Sequence, residues 1–143
     1  MKKFVTILLV VAMLLSVVAC APKAASSKIN IAMVTDVGNI DDKSFNEFTW
    51  KGCSDWATEN KMVANYYRPS EDSDEARIET IKTAIDKGAN VIVCPGYLFG
   101  ATYKQLPQQY PEVMFLGIDL GIGDVPEPQA NTALITYQEE QSG

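Results

Sequence analysis

An α/β fold, an open parallel sheet flanked by helices, is predicted by three features of this sequence. From Lys28 onward, short apolar runs of strand length alternate with segments whose apolar residues recur at helical spacing. The run 91–94 (VIVC) is continuously apolar, as expected for a strand that is covered on both faces. The links between segments are short, and strands that alternate with helices in this way form parallel sheets with right-handed crossovers.

Five apolar runs are predicted to be strands, and a helix is predicted after each of the first three. Each run is bounded by polar, proline or glycine residues, which limits it to the length of a strand. The predicted strands are Ile29–Thr35, Val63–Tyr67, Val91–Cys94, Val113–Ile118 and Ala133–Tyr137.

The first helix is predicted to begin at Ser44. Ser44 and Glu47 have the spacing of a capping box, in which each side chain binds a backbone N–H at the other's position. Apolar residues at helical spacing after this cap predict one buried face, from which the helix packs on the sheet. The predicted face consists of Phe45, Phe48, Thr49, Gly52, Cys53 and Trp56.

Two further helices are predicted. Ser73 or Asp74 caps the second helix, and Gly88 ends it. Its buried stripe is predicted to be Ile78, Ile81 and Ile85. The third helix is short, lies between Ala101 and Gln109, and is limited by Pro107 because proline has no N–H to donate.

Composition and charge exclude several classes of protein. The 143 residues contain 12 Lys and Arg against 18 Asp and Glu, a net charge of −6, so a nucleic-acid backbone would be repelled. The sequence has no histidine, which excludes Ser-His-Asp and Cys-His nucleophile pairs and removes the commonest transition-metal ligand. A hydrophobic fraction of 47% is typical of a globular protein, and the length suits one domain.

Residues 1–19 have the features of a secretory signal peptide. A basic start precedes an uncharged apolar run that is short for a membrane-spanning helix. The tetrapeptide 17–20 (VVAC) matches the bacterial lipobox, which implies cleavage before Cys20 and acylation of that residue. Residues 20–28 then form a tether, and the mature protein is anchored by lipid to the outer face of the cell membrane. The alternative is an uncleaved membrane anchor in which Cys20 is present by chance.

Cys53 and Cys94 are interpreted as buried, unpaired thiols. Cys94 lies in an apolar strand pattern and Cys53 on a helix face. A disulfide is conceivable in an exported protein. Because the chain offers no histidine to activate either thiol, neither is assigned a function.

Polar and aromatic residues gather where the predicted strands end. Asp36 follows the first strand, Tyr97 the third and Asp119 the fourth, while Phe45 lies in the first turn of the first helix. Open parallel sheets bind ligands at these ends. Carboxylates accept hydrogen bonds from vicinal hydroxyl groups, and aromatic faces stack on flat rings. A neutral, hydroxylated, aromatic solute fits these groups, whereas no phosphate-binding glycine motif is present.

Each of these residues also has a structural interpretation. Asp41 and Asp42 are predicted to be turn residues that bind loop backbone. By its spacing alone, Phe45 is a core residue of the first helix. Tyr97 and Phe99 are equally suited to lining a pocket and to closing the core.

Several segments of the chain resemble one known family. They are 35–46 (TDVGNIDDKSFN), 88–93 (GANVIV), 96–99 (GYLF), 115–119 (FLGID) and 137–143 (YQEEQSG). The family is the basic membrane protein family of lipoproteins, which are PnrA-like (purine nucleoside receptor) substrate-binding components of ATP-binding-cassette (ABC) importers. The pattern D-x-G-x-x-D-D-x-S-F-N within the first segment is the most specific of the matches.

The resemblance implies a fold and a set of contacts. Residues 29–143 would form the N-terminal lobe of a type I periplasmic-binding-protein fold, with the second lobe largely absent. Asp36 and Asn46 would contact a nucleoside bound between the lobes, and Phe45 would stack on its base. Asp119 would be a further contact, and Tyr97 would border the cleft. On this basis we expect Phe45 to face the ligand rather than the core.

The expected function is the capture of a nucleoside, a purine nucleoside in particular, for delivery to ABC permease subunits. It requires no cofactor, no metal and no covalent chemistry, and the binding protein is expected to be a monomer. Two alternatives stay open. One is a binding protein of the same fold for a sugar or a small signal molecule. The other is a surface glycosidase or nucleosidase, which needs two carboxylates across one sugar bond at a distance that nothing in the spacing fixes.

Overall fold

The computed structural model describes residues 28–138 and Gln141, so the predicted signal peptide and Cys20 lie outside the described residues. The strands are β1 (Asn30–Val34), β2 (Val63–Tyr67), β3 (Val91–Pro95), β4 (Met114–Ile118) and β5 (Thr132–Ile135). The helices are α1 (Phe45–Glu59), α2 (Asp74–Asp86) and α3 (Gly100–Gln109), and a 3-10 turn lies at Tyr97–Phe99. Of the helices described, none combines the length and the apolar character needed to cross a membrane.

All five strands are parallel and form one sheet in the order β2-β1-β3-β4-β5. The predicted open parallel sheet flanked by helices is therefore confirmed. β2 has the predicted bounds, and β1, β3 and β4 differ from prediction by one residue at one or both ends. β5 ends at Ile135, two residues before the predicted end at Tyr137. Ile135 pairs with Ile118, the last residue of β4, and Asp119 then adopts a φ of 56°, which turns the chain out of the strand.

Most of the core lies between the sheet and the helices α2 and α3. The core residues on this face include Ala32, Val34, Ile81, Ala84, Ile92, Cys94, Tyr103, Leu106 and Phe115. Tyr103 packs edge-on against Phe115 with a centroid distance of 5.8 Å, and its hydroxyl donates to Leu116 O at 2.7 Å. This hydrogen bond satisfies the one polar atom of a large side chain that is otherwise buried among apolar groups.

α2 begins and ends as the sequence predicts. Ser73 Oγ accepts a hydrogen bond from Ala76 N at 3.2 Å, which confirms Ser73 as the N-cap. Gly88 follows the helix with a φ of 93°, a conformation that glycine adopts without strain. Ile81 is fully buried, and Ile78 and Ile85 pack partly buried against the same core.

α3 continues through Pro107 to Gln109 rather than being limited by the proline. Pro107 lies in the last turn, where the carbonyl groups lack partners within the helix. Asn131 supplies those partners from the chain that leads into β5. Its Nδ2 donates to the carbonyl oxygens of Pro107, Tyr110 and Val113 at 3.1, 3.0 and 2.8 Å.

The predicted buried face of α1 is largely wrong. Phe48 is 66% exposed and Trp56 is 41% exposed, and Cys53 is the member of that face that is buried. Trp50 packs edge-on against Tyr66 of β2 with a centroid distance of 5.2 Å, which rotates the helix by part of a turn. The side chains of α1 on the sheet side are Asn46, Trp50, Cys53 and Ala57.

The capping box predicted at Ser44 is also wrong. The Ser44 side chain makes no capping hydrogen bond. Instead, Asp42 Oδ1 accepts hydrogen bonds from Ser44 N at 2.8 Å and Glu47 N at 3.0 Å, and Glu47 Oε2 accepts one from Lys43 N at 2.9 Å. A carboxylate thus caps α1, which suits the positive end of the helix dipole. The prediction that Asp42 binds loop backbone is confirmed.

Cys53 and Cys94 are buried and free, as predicted. Burial raises the pKa of the Cys53 thiol from 9.0 to about 11. Burial raises the pKa of Cys94 further, because that side chain is fully enclosed between β3 and α3. The reactive thiolate form of both residues is therefore scarce at neutral pH.

We expect both thiols to react about a hundredfold more slowly with a thiol reagent at about pH 8 in the folded protein than in denaturant. The raised pKa values and the burial act in the same direction, because each lowers the amount of accessible thiolate. Mass spectrometry of the peptides that contain Cys53 and Cys94 would give the two rates. Fast labelling of Cys94 in the native protein would contradict the packing described above.

Candidate functional site

Three strands end side by side at one edge of the sheet, which we call the carboxyl edge. Pro95 at the end of β3 pairs with Ile118 at the end of β4, and Gly96 N donates to Ile118 O at 2.7 Å. β1 lies between β2 and β3 although β2 follows β1 along the chain, so the strand order reverses at β1. Open α/β sheets bind ligands in the crevice that such a reversal leaves at the carboxyl edge.

The β1–α1 loop, residues 35–44, is organised around one carboxylate at this edge. Asp36 Oδ1 accepts hydrogen bonds from the backbone N–H groups of the next two residues at 2.5 and 2.6 Å. It also accepts one from Asn46 Nδ2 at 2.9 Å, and Asn46 Nδ2 donates in addition to Asp42 Oδ2 at 3.0 Å. Asp36 and Asn46, which the sequence places ten positions apart, are therefore in direct contact.

Two acceptor atoms of this network have no donor among the described residues. Because two carboxylates bind Asn46 Nδ2, the orientation of the amide is fixed and the remaining atom is the acceptor Oδ1. Asn46 is 3% exposed, and its Oδ1 has no hydrogen-bond partner among the described residues. Within the same ranges, no group donates to the second carboxylate oxygen of Asp36. A buried acceptor without a partner is unusual and suits a donor supplied from outside the protein.

Asp36 and Asp42 are both ionised at neutral pH. Burial works against the charge of Asp36, but hydrogen bonds from Gly38 N, Asn46 and Val37 N outweigh it and lower the pKa below the ordinary 3.8. Burial also works against Asp42, whose pKa is lowered by the N–H groups at the start of α1 and by the Asn46 side chain. In the part of the chain that the structure covers, no three His, Cys, Asp or Glu side chains are grouped to hold a metal ion.

Phe45 lies at the first turn of α1, directly before Asn46 in the chain. It is 46% exposed, so the core position that its spacing alone predicts is wrong. The exposed ring is available to a ligand, as the resemblance implies. Whether it stacks on a base stays a prediction.

Tyr97 and Phe99 are separated by the structure. Phe99 is fully buried beneath the Arg77 guanidinium, 5.8 Å from its ring centroid, whereas Tyr97 is 67% exposed after the end of β3. Asp119 directly follows β4 and is partly buried. Among the described residues, no hydrogen bond joins Tyr97 or Asp119 to the Asp36–Asn46 pair, so their part in the site stays a prediction.

Two residues that were not predicted to be site residues support the β1–α1 loop. Gly38 leaves no room for a side chain, because an added Cβ would lie 2.7 Å from Asn46 Nδ2 and 3.1 Å from Asp36 Oδ1. Arg68, which directly follows β2, donates to Val37 O and to Asn39 Oδ1, each at 2.7 Å. The signal that could have identified Arg68 is its place at the end of the strand next to β1.

An open groove lies between α1 and the adjacent face of β3 and β4. Its volume is about 880 Å³. Its walls are mainly apolar, and they include Phe48, Trp56, Val91, Leu116 and Ile118. Phe45 stands at one end of this groove, but no carboxylate lines it. The groove therefore offers no carboxylate to a hydroxylated solute, and the polar network at the carboxyl edge is the better candidate site.

A parallel α/β lobe with buried acceptors at its carboxyl edge defines the class of a small-molecule-binding domain. The particular family follows from comparison with known proteins. A family model, Bmp, described as ABC transporter substrate-binding protein PnrA-like, matches residues 29–143. The chain belongs to this PnrA-like family of ABC-transporter substrate-binding proteins.

Individual relatives agree with this assignment. Basic membrane protein A1 of Borrelia garinii subsp. bavariensis is 32% identical over 111 residues, which cover 78% of this chain and 32% of that protein. The CD4+ T-cell-stimulating antigen of Listeria monocytogenes serovar 1/2a is 30% identical over 103 residues, which cover 70% of this chain and 29% of that protein. The chain thus spans about a third of the length of these relatives.

A solved structure supports the fold. A lipoprotein fragment from Peptoclostridium difficile 630 matches with a TM-score of 0.62 at 17% identity, over 80% of this chain and 90% of that chain. At this level of identity the likeness shows the fold alone.

We expect Gly38→Ala to lower the free energy of unfolding by about 1–3 kcal/mol, because the new methyl group overlaps the Asn46 amide. Gly52→Ala is the matched control, since a Cβ at Gly52 meets nothing within 4 Å and alanine favours the helix. The control should be neutral or slightly stabilising. Urea denaturation measures both changes, and equal effects of the two substitutions would show that the loop is not packed as described.

Stability should be constant from about pH 7 to pH 5 and should fall once the pH drops below the ordinary aspartate pKa of 3.8. Asp36 and Asp42 have lower pKa values in the folded than in the unfolded chain, so their contribution is complete above 3.8 and is lost as the pH falls through the folded-state values. Asp36→Asn should flatten this acid limb, whereas Glu127→Gln, an exposed loop substitution, should not. A steep loss of stability near pH 6 would contradict the assignment of the pH dependence to Asp36 and Asp42.

Proposed function

We propose that this chain is the ligand-contacting N-terminal lobe of an extracytoplasmic solute-binding lipoprotein that captures a nucleoside, a purine nucleoside in particular, for an ABC importer. The observation that supports it best is the Asp36–Asn46 pair, whose acceptors Asp36 Oδ2 and Asn46 Oδ1 have no donor among the described residues, together with the exposed ring of Phe45, the residue before Asn46. Membership of the PnrA-like family supports substrate binding in general.

The chemistry of the pair suits the sugar of a nucleoside. An ionised carboxylate accepts hydrogen bonds from vicinal hydroxyl groups, and charge-assisted bonds of this kind are the stronger ones. Because three N–H groups already bind Asp36 Oδ1, the carboxylate is oriented before the ligand arrives and loses little conformational freedom on binding. Asn46 Oδ1 then accepts one further hydrogen bond from the ligand.

The base is assigned to the aromatic side of the site. Phe45 stacks on its flat face, Tyr97 borders the cleft, and Asp119 offers a further acceptor from the end of β4. Remaining contacts come from a second lobe, which closes on the ligand by a hinge motion and presents the closed form to the permease. No covalent step is involved, so the protein binds and releases its ligand unchanged.

The location of the protein at the membrane is inferred from its amino-terminal sequence. Residues 1–19 serve as the signal peptide, Cys20 is acylated, and residues 20–28 form the tether to the membrane. Diacylation or triacylation of one cysteine gives a stable anchor, whereas a single acyl chain binds only marginally. The lobe therefore works at the outer face of the membrane, where the permease receives the ligand.

We expect saturable heat of binding when inosine, guanosine or adenosine is titrated into the protein, produced from residue 21 to the end of its reading frame. Ribose is the control, and it should give no comparable signal because it lacks a base to stack. Binding of ribose alone would favour the sugar-binding alternative. No heat with any of the four solutes would overturn the nucleoside assignment, and turnover of a nucleoside would show an enzyme instead.

Phe45→Ala should weaken nucleoside binding by about 1–3 kcal/mol, the usual cost of losing one base–aromatic stack. Phe48→Ala is the matched control, since Phe48 lies one turn further along α1 and is even more exposed. Calorimetry of both variants gives the comparison, and unchanged melting temperatures would confirm that each is folded. Equal affinities in the two variants would remove Phe45 from the site.

A further inference from the structure

We propose that Arg68 is a positioning residue for the ligand site, which orients the Asp36 carboxylate through the Val37–Gly38 peptide group. This inference rests on the proposed function and names a residue, outside the ligand contacts, on which that site depends. Arg68 is exposed after the end of β2, and it belongs to none of the motifs that the sequence analysis singled out.

Arg68 makes two hydrogen bonds to the β1–α1 loop. Its Nε donates to Val37 O at 2.7 Å, and its Nη1 donates to Asn39 Oδ1 at 2.7 Å. These donors belong to one planar guanidinium group, so the two acceptors are held in a fixed relation to each other. Arg68 is thus hydrogen-bonded to the β1–α1 loop on both sides of Gly38.

The peptide group between Val37 and Gly38 connects Arg68 to Asp36. Its carbonyl oxygen accepts from Arg68, and its N–H is the group that donates to Asp36 Oδ1 at 2.6 Å. A peptide group is planar and rigid, so fixing the direction of the carbonyl fixes the direction of the N–H. Arg68 therefore determines where the Gly38 N–H points without touching Asp36.

The charges of Arg68 and Asp36 also favour this arrangement of the peptide group. The guanidinium cation faces the negative end of the peptide dipole, and the Asp36 carboxylate faces the positive end. Hydrogen bonds that follow one another in this way polarise each other and strengthen the series. The series ends on the carboxylate whose second oxygen is left for the ligand.

The sheet explains why an arginine at this position reaches the loop. Thr35 N donates to Tyr67 O at 3.0 Å, so the pairing of β1 with β2 continues up to the residue before Arg68. A lysine there would keep the charge but could not direct two fixed N–H groups at two acceptors. Arg68→Lys is therefore expected to behave more like Arg68→Gln than like the wild type.

The test compares Arg68→Gln with Lys104→Gln, which removes one exposed positive charge from α3 on the other side of the lobe. Hydrogen exchange of the Gly38 amide, followed by NMR without ligand, should be faster in Arg68→Gln and unchanged in Lys104→Gln. Inosine affinity should fall about tenfold in Arg68→Gln alone. In the double variant Arg68→Gln/Asn39→Ala the loss should be no larger, because both substitutions release the same contact.

A spectroscopic readout separates positioning from general destabilisation. The pKa of Asp36, followed by carboxyl carbon NMR, should rise towards 3.8 in Arg68→Gln as the Gly38 hydrogen bond loosens. Asp42 is the internal control, because its donors are the N–H groups of α1 and the Asn46 side chain.

The failure of this inference and the failure of the proposed function are distinguishable. If the wild type binds no nucleoside, the proposed function fails, and Gly38 exchange together with the Asp36 titration still decides the role of Arg68. If the wild type binds but Arg68→Gln leaves exchange, titration and affinity unchanged, the positioning role is overturned. An equal loss of affinity in Lys104→Gln would also overturn it, because net charge would then explain the effect.

Discussion

The hydrogen bond from Asn46 Nδ2 to Asp36 Oδ1 joins the first helix to the end of the first strand, and the arrangement of the carboxyl edge depends on it. The same Asn46 amide group binds Asp42, the carboxylate that caps α1, so the loop, the cap and the helix share one buried side chain. Gly38 is confined by this contact because any side chain would strike the amide. A single buried asparagine therefore connects the β1–α1 loop, the carboxylate that caps α1 and the Asp36 carboxylate.

The two faces of the sheet are covered to different extents. α2 and α3 enclose one face with a continuous core, whereas α1 alone packs on the other and covers chiefly β1 and β2. Apolar residues of β3 and β4 consequently line an open groove beside α1. Parallel sheets are normally buried on both sides, whereas in the described residues this face is covered only in part.

The fold and the family limit the possible functions, but they do not identify the ligand. The same α/β architecture serves many unrelated functions, so the argument for a nucleoside depends on particular atoms at the carboxyl edge. Those atoms are acceptors with an exposed aromatic ring beside them, in a lobe whose two free thiols are buried and poorly ionised. Such a set of groups favours binding and release over covalent chemistry. Membership of a substrate-binding family agrees with that preference.

The sequence by itself determined the order of strands and helices along the chain, the parallel sheet, a cap of α2 at Ser73 or Asp74, and the buried state of both cysteines. These follow from local periodicity and from residues that act within one or two turns of the chain. It also brought Asp36, Phe45 and Asn46 to attention, through a motif that is contiguous in the chain.

Only the tertiary structure decided which face of α1 is buried, which residue caps it, and which of Tyr97 and Phe99 is exposed. The rotation of α1 depends on the contact of Trp50 with Tyr66 of a neighbouring strand, which periodicity within the helix cannot reveal. Asp42 displaced Ser44 as the cap because the same carboxylate also binds Asn46. Arg68 was identified only by its hydrogen bonds to residues about thirty positions earlier in the chain. Contacts between distant segments depend on how the sheet pairs its strands, and local pattern contains no record of that pairing.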